Sequence, residues 1–282
     1  MEGAAGPGFS VVAQRDAAGA RVRDTRYAAP DGAEVAAWLV EPADTPGSGA
    51  GPGVLFAHWF DPDAPDGNRD QFLAEAEALA RAGVASLLPQ GRFPWAGDPT
   101  DAAADRARID DQVAVLRRGL DLLTSAAVGA DPARLAFVGH DFGAMYGAIL
   151  AGEDRRAQGY VLMAAVPRWG DWFLPFWRIT DDRIDYLRAL RDRDPIEHVG
   201  RAAPARLLFQ SAADDFYIAE MTARELARAA SEPRELRRYP GDHALRDLGA
   251  RADRLAFLAE VLGLAAAPAV PAVPATPEDA AS

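Results

Sequence analysis

Leu135-Ala136-Phe137-Val138-Gly139-His140-Asp141-Phe142-Gly143-Ala144 is an apolar run that stops in a glycine-bracketed turn and passes straight into helix-compatible residues. The pattern predicts a buried strand, a sharp turn and a helix over Ala144 to Ala151, with one reactive side chain at the apex. It has the layout G-x-S-x-G, but Asp141 stands where the serine would be. Glycines at 139 and 143 leave room for the turn and for close packing of helix on strand. A serine there would need a base to become a nucleophile, whereas a carboxylate with a reference pKa of about 3.9 is already ionised at neutral pH. The helix N-terminus that follows favours the anion further. A turn aspartate that merely caps a helix would fit the same five residues.

Composition narrows the chemistry. The 282 residues suffice for one sizeable core, and no unbroken apolar stretch approaches the roughly 20 residues of a membrane span. Met1 to Ser10 has no basic residue and no apolar h-region, so no secretory signal is expected and the reading leans to the cytoplasm. There is no cysteine, which removes thiolate catalysis, disulfides and Cys-based metal sites. All 30 basic residues counted with lysine and arginine together are arginine, so Schiff-base chemistry and a P-loop lysine are absent. A net charge of −12 argues against a nucleic-acid partner. The four histidines show neither H-E-x-x-H nor paired ligand spacing, so no metal and no cofactor are expected. The expected partner is a small-molecule substrate, with neither nucleic acid nor membrane; a homodimer stays open.

Strand and helix patterns alternate along most of the chain. Arg21 to Tyr27 and Glu34 to Val40 read as two strands joined by a Pro30-Asp31-Gly32 turn. Val54 to Ala57 is a short buried strand ending at His58, and Arg69 to Ala82 has helical spacing. Val84 to Leu88 is a strand, and Ala102 to Ala127 is a long amphipathic helix. After the Asp141 turn come strands at Tyr160–Ala164, Ala205–Gln210 and Arg234–Tyr239, with helices at Ile218–Ala230 and Ala244–Leu262. Such alternation predicts an α/β fold with a largely parallel sheet covered on both faces. Residues 1–20 read as a flexible arm, 21–263 as the domain, and the Pro/Ala-rich 264–282 as a disordered tail. Between about 167 and 201 the alternation breaks. The segment carries Trp169, Trp172, Phe173, Phe176, Trp177 and Tyr186. It reads as a small aromatic cap over a pocket, with a satellite hydrophobic cluster on the main core as the alternative.

A nucleophile at a strand's carboxyl end still needs a base and a group to orient it. Downstream, Leu207-Leu208-Phe209-Gln210 empties into Ser211-Ala212-Ala213-Asp214-Asp215-Phe216-Tyr217-Ile218, and Tyr239-Pro240-Gly241-Asp242-His243 follows the last strand. The order nucleophile, acid, histidine is that of the elbow hydrolases. On these stretches the chain resembles the α/β-hydrolase fold superfamily, and within it the dienelactone-hydrolase-related branch, over roughly Val54 to Leu262. The resemblance implies a mostly parallel, eight-stranded-type sheet with helices on both faces. It also implies an Asp141–His243–Asp215 triad. Asp215 is preferred because the family's acid commonly sits ahead of an x-Tyr/Ile-Val pair, which Phe216-Tyr217-Ile218 resembles; Asp214 is the second choice.

In the resembling families an elbow aspartate belongs to epoxide hydrolases and haloalkane dehalogenases. That implies attack by Asp141 on a saturated carbon, then hydrolysis of the alkyl ester by water that His243 deprotonates. Oxyanion donors would be the backbone N–H of Phe142 and one from Trp59 or Phe60. Tyr186, or Tyr217, would protonate an epoxide oxygen. Trp59, Trp169, Trp172 and Trp177 could offer indole N–H groups to a halide. Epoxide opening is placed ahead of dehalogenation on a small, largely apolar substrate. The alternatives are an ester or lactone hydrolase of dienelactone type, and a non-hydrolytic lyase, cyclase or silent binding protein. The presence of His243 with an acid argues against the silent version. The sequence also departs from those families: Phe142 replaces a frequent tryptophan, Trp59-Phe60-Asp61-Pro62 replaces His-Gly-x-Pro, and Gln90 stands where aspartate is common.

Overall fold

The computed structural model describes residues 9–43, 50–64, 66–93, 101–176 and 178–269. Among them nine strands form one sheet. The first three are β1 (Phe9–Ala17), β2 (Ala20–Ala28) and β3 (Glu34–Pro42). They are followed by β4 (Gly53–Ala57), β5 (Ala85–Pro89), β6 (Leu135–His140), β7 (Ala157–Met163), β8 (Arg206–Ala212) and β9 (Arg234–Tyr239). Their spatial order is β1-β2-β3-β5-β4-β6-β7-β8-β9. Pairing is antiparallel from β1 to β5 and parallel from β5 onward.

The parallel centre explains its own sequence. β4 and β6 are buried at every position, so they read as continuous apolar runs rather than alternating ones. Helices α1 (Leu73–Arg81), α2 (Ala102–Thr124), α3 (Phe142–Glu153) and α8 (Leu248–Leu262) cover the sheet. α3 has only buried residues from Phe142 to Gly152, as its lack of polar positions predicts. α7 (Glu220–Ala229) is shorter than the sequence suggested, and α8 starts at Leu248, not Ala244. Leu245, with φ of 50°, breaks helical geometry there, and Asp247 caps the helix by accepting from the Ala250 N–H at 3.0 Å.

One expectation is corrected at the N-terminus. Residues 9–17 are not part of a flexible arm but strand β1, paired with β2 from Phe9↔Tyr27 to Ala17↔Ala20. The strand leaves no burial signature because its interior positions, Ser10 to Asp16, are exposed. The backbone ladder and the turn at Gly19, with φ of 87°, define it instead. At the other end, residues 264–269 follow α8 without helix or strand; residues 270–282 of the expected tail lie outside the described residues, as do 1–8 of the arm.

Because β4, β6, β7, β8 and β9 run parallel, the segments following them emerge on one edge of the sheet. That edge therefore collects His58–Phe60, Asp141, residues 164–205, residues 213–219 and residues 240–247. The longest of these segments, 164–205, contains α4 (Trp169–Phe176), α5 (Arg183–Leu190), a 3₁₀ turn (Arg191–Arg193) and α6 (Pro195–Val199).

Candidate active site

The β6–α3 turn is built for closeness. A Cβ on Gly143 would come within 2.0 Å of the Ala57 carbonyl oxygen, and one on Gly139 within 2.4 Å of the Gly143 oxygen. Both positions therefore need glycine. Asp141 is held at φ 53°, ψ −112°, a region costing about 1–3 kcal/mol for a residue with a side chain. Its backbone N–H donates to Met163 O at 2.9 Å and its carbonyl accepts from Met145 N at 2.9 Å, which fixes the turn from both sides. Asp141 does not cap α3 with its side chain. A helix-capping role, the bland reading of this residue, is not what the carboxylate performs.

His243 lies in the loop after β9, with its Nε2 4.0 Å from Asp141 Oδ2. Its Nδ1 donates to Asp215 Oδ2 at 2.9 Å. Asp215 in turn accepts from the backbone N–H groups of Tyr217 at 2.9 Å and Ile218 at 3.0 Å. Neutral His243 thus directs its Nε2 lone pair away from Asp215, on the Asp141 side. Asp214 is exposed, and its backbone N–H donates to Gly241 O at 2.9 Å, so it is the solvated neighbour.

The carboxylate and the imidazole are both buried. Desolvation pushes the Asp141 carboxyl up to about 7, against the opposing pull of His243 and of the Phe142 N–H that hydrogen-bonds to it. Burial disfavours the His243 cation, but the Asp215 hydrogen bond and the charges of Asp141, Asp215 and Asp242 outweigh it, and its pKa is raised. Asp141 Oδ1 and His243 Nε2 are both buried and have no hydrogen-bond partner among the described residues. Such atoms cost about 1–3 kcal/mol each, a penalty borne where a reacting molecule would supply the missing contact.

Comparison with known proteins gives the architecture. An acetyl xylan esterase from Paenibacillus sp. R4 superposes with a TM-score of 0.68 at 18% identity, covering 91% of this chain and 88% of that one. The chain has the α/β-hydrolase fold. A cold-adapted esterase from an Arctic intertidal metagenomic library superposes with a TM-score of 0.63 at 15% identity, over 89% of this chain and 97% of that one. In sequence, the chain is 23% identical over 202 residues to an uncharacterized peptidase, YuxL, of Bacillus subtilis (strain 168). That match takes in 68% of this chain and 30% of the peptidase, so the chain spans less than a third of that relative's length. No protein-family model matches the sequence.

Within this α/β-hydrolase fold the aromatic residues sort into two groups. Trp172 lies nearly parallel to the His243 ring, centroids 5.7 Å apart at 17°, and its buried Nε1 has no partner. Tyr217 meets the His243 ring edge-on at 5.1 Å and packs on Trp172 at 5.6 Å. Phe142 packs against Trp172 at 5.8 Å and against Phe93 at 5.8 Å, and Phe93 packs on Phe60 at 4.9 Å. These form an apolar wall around Asp141, His243 and Asp215. Residues of α4 belong at once to the wall and to the main core, so cap and core cluster are one structure here.

The second group is elsewhere engaged. Tyr186 is corrected: its hydroxyl donates to Asp105 Oδ2 at 2.5 Å within a buried cluster, so it has no hand free for a leaving group. Trp169 donates its indole N–H to Arg193 O at 2.7 Å and serves packing. Trp59 is corrected as an oxyanion donor, because its backbone N–H is bound to Gln71 Oε1 at 3.0 Å. Trp177 lies outside the described residues. Phe93 and Gln71 were not picked out from sequence; only their places, just after β5 and just before α1, could have drawn attention.

His58 and His198 are structural in their contacts. His58 donates from Nδ1 to Trp59 O at 2.7 Å and accepts at Nε2 from Gly91 N–H at 2.8 Å, and burial lowers its pKa to about 4. His198 sits in α6, bonded to Asp192 O at 2.9 Å and to Arg201 at 2.9 Å. Among the described residues no group of three His, Asp or Glu could hold a metal ion, and no helix is long and apolar enough to cross a membrane.

Proposed function

We propose that this chain is a hydrolase of small, largely apolar molecules in which Asp141 is the attacking carboxylate, His243 the general base and Asp215 its orienting acid. The observation that carries the reading is the buried, unpartnered Asp141 oxygen beside the equally unpartnered His243 Nε2. At 4.0 Å the two groups are near but not bonded, as a base that must later deliver water to the Asp141 carbonyl carbon should be.

The first step forms a bond between an Asp141 oxygen and a saturated carbon while the carbon–oxygen bond of an epoxide, or a carbon–halogen bond, breaks. The Tyr217 hydroxyl gives its proton to the opening epoxide oxygen, or the Trp172 Nε1–H hydrogen-bonds the departing halide. In the second step His243 takes a proton from water, whose hydroxide adds to the Asp141 carbonyl; collapse expels the product oxygen, which takes that proton from His243. The remaining water proton leaves Asp141 as a carboxylate and passes to the Tyr217 phenolate or, with halide, to solvent. The Phe142 N–H, already directed at the Asp141 carboxyl, favours the oxyanion that forms there.

A second reading, hydrolysis of a carboxylic ester or lactone, has the support of the similarities to esterases, which favour it over epoxide or carbon–halogen chemistry. There Asp141, with a pKa near neutrality, would act as base on a water that attacks the substrate carbonyl. That substrate oxyanion would have to compete for the Phe142 and Trp59 N–H groups, which Asp141 and Gln71 occupy. A single turnover in H₂¹⁸O separates the readings. Styrene oxide or a bromoalkane under the first leaves ¹⁸O in the Asp141 carboxyl; p-nitrophenyl acetate under the second leaves it only in the product. Tight ligand binding without turnover by any probe would point to a binding protein and reject both.

A further inference from the structure

Three hydrogen bonds connect the start of the loop after β4 to the loop after β9 through the core of the site. Trp59 N–H donates to Gln71 Oε1 at 3.0 Å, Gln71 Nε2 bonds His140 Nδ1 at 2.5 Å, and His140 Nε2 bonds His243 O at 2.8 Å. The ends determine the direction of every link. A backbone carbonyl only accepts, so His140 Nε2 carries the proton. A neutral imidazole then accepts at Nδ1, so Gln71 must present its NH₂ there and its carbonyl to Trp59, whose N–H only donates. One tautomer and one amide orientation satisfy all three bonds. An imidazolium at His140 would set a second N–H against the Gln71 amide and break the chain. His140 is fully buried, which holds its pKa well below the ordinary value and keeps it neutral. The Trp59 ring lies flat on the His140 ring, centroids 5.2 Å apart at 4°, and tilts against His243 at 5.5 Å.

We propose that Gln71 and His140 are positioning residues: their hydrogen-bond relay sets the backbone of His243, and with it the reach of Nε2 toward Asp141, from the loop at Trp59. The proposal rests on the reading of His243 as general base. His140 immediately precedes Asp141 in sequence, so the relay references the base to the strand end that carries the attacking group. It also explains why the Trp59 N–H is taken up by a side chain rather than presented to the pocket.

The test uses ¹⁵N-histidine NMR together with kinetics on styrene oxide and p-nitrophenyl acetate, in wild type, Gln71→Met, Gln71→Glu and His140→Phe. The groups that set the His243 titration are Asp141, Asp215, Asp242 and His140; those acting on His140 are His243 and Arg254. Wild-type His140 should hold the Nε2–H tautomer from pH 5.5 to 8. Gln71→Met should release that tautomer, move the His243 midpoint, and lower kcat by about tenfold with KM within about twofold. Gln71→Glu keeps an acceptor for the Trp59 N–H but offers no N–H to the neutral His140 Nδ1, so it should disturb the His140 tautomer and lower kcat as Gln71→Met does. Unchanged His243 titration and kcat in Gln71→Met and His140→Phe would overturn the relay, as would wild-type kcat and an unchanged His140 tautomer in Gln71→Glu. If His140→Phe does not fold, the two Gln71 variants decide. If neither probe is turned over by wild type, the proposed function fails, while the His140 tautomer and the His243 titration still decide the relay.

Discussion

Asp105 and Asp141 are both buried carboxylates within an aromatic neighbourhood, yet they are treated in opposite ways. Asp105, on α2, receives Arg178 Nη2 at 2.7 Å and Nε at 2.8 Å in a two-pronged pair, and the Tyr186 hydroxyl at 2.5 Å. Among the described residues Asp141 receives no cation at bonding distance and keeps one oxygen without a partner, and it sits on a strained backbone. The first arrangement satisfies a buried charge completely and fastens the 178–186 stretch to the sheet's covering helix. The second leaves the charge half met. A fold that can provide the first solution 36 residues before the second does not leave Asp141 bare for want of arginines. Under the proposed function the difference separates a structural carboxylate from a reactive one.

The comparison can be broken most severely at Asp141 itself. Asp141→Asn should reduce turnover by about 10⁴-fold or more, whereas Asp105→Asn should spare chemistry in whatever fraction remains folded. Assays of turnover per folded molecule, with folding followed by circular dichroism, check this. Next in size is the orienting acid. Asp215→Asn should cost about 10²–10⁴-fold in kcat through loss of the His243 orientation, and the exposed Asp214→Asn should stay within about twofold. Steady-state kinetics on the two variants side by side would show the contrast; equal losses would erase it.

Stability should run the other way. Removing one member of a buried pair leaves the other charge uncompensated, so Asp105→Asn should cost about 3–5 kcal/mol in chemical unfolding. Asp141→Asn should be stabilising, and pH tells why. Burial holds the folded Asp141 carboxyl up at about 7, against about 3.9 in an unfolded chain. The folded state therefore binds this proton more tightly, and the associated stability is complete below about 4 and lost as pH rises through about 7. The upward shift at His243 has the same sense: its contribution is complete below the unfolded value of about 6.5 and fades as pH passes the folded one. Calorimetry should show Asp141→Asn melting several degrees above wild type at pH 8, with the gain shrinking toward pH 4. The smallest effect belongs to Tyr186→Phe, which removes one hydrogen bond to a charged group. It should cost about 1.5–3 kcal/mol of stability and leave kcat within about twofold.

Much of this contrast could be read before any coordinates, and part could not. The β6 turn, an acid after β8 and the histidine after β9 are legible because a parallel sheet must put all its strand ends on one edge, while the preference for Asp215 over Asp214 came from the family resemblance. Position along the chain then implies proximity. Side-chain direction is not encoded that way. Tyr186 looked like a cap tyrosine aimed at substrate, but Asp105 and Arg178, 81 and 8 residues away in sequence, claim its hydroxyl. Trp59 occupied the expected donor position while Gln71, 12 residues on, had taken its N–H. Strand β1 escaped because its interior positions are exposed, so it leaves no apolar period to detect.

The most direct measurement is the intact mass of His243→Gln after incubation with styrene oxide, with the modified peptide mapped. Without the base, the second step stalls, and a stoichiometric adduct of one substrate mass on Asp141 should accumulate. A wild type that turns substrate over while His243→Gln carries no adduct at Asp141 would contradict the account.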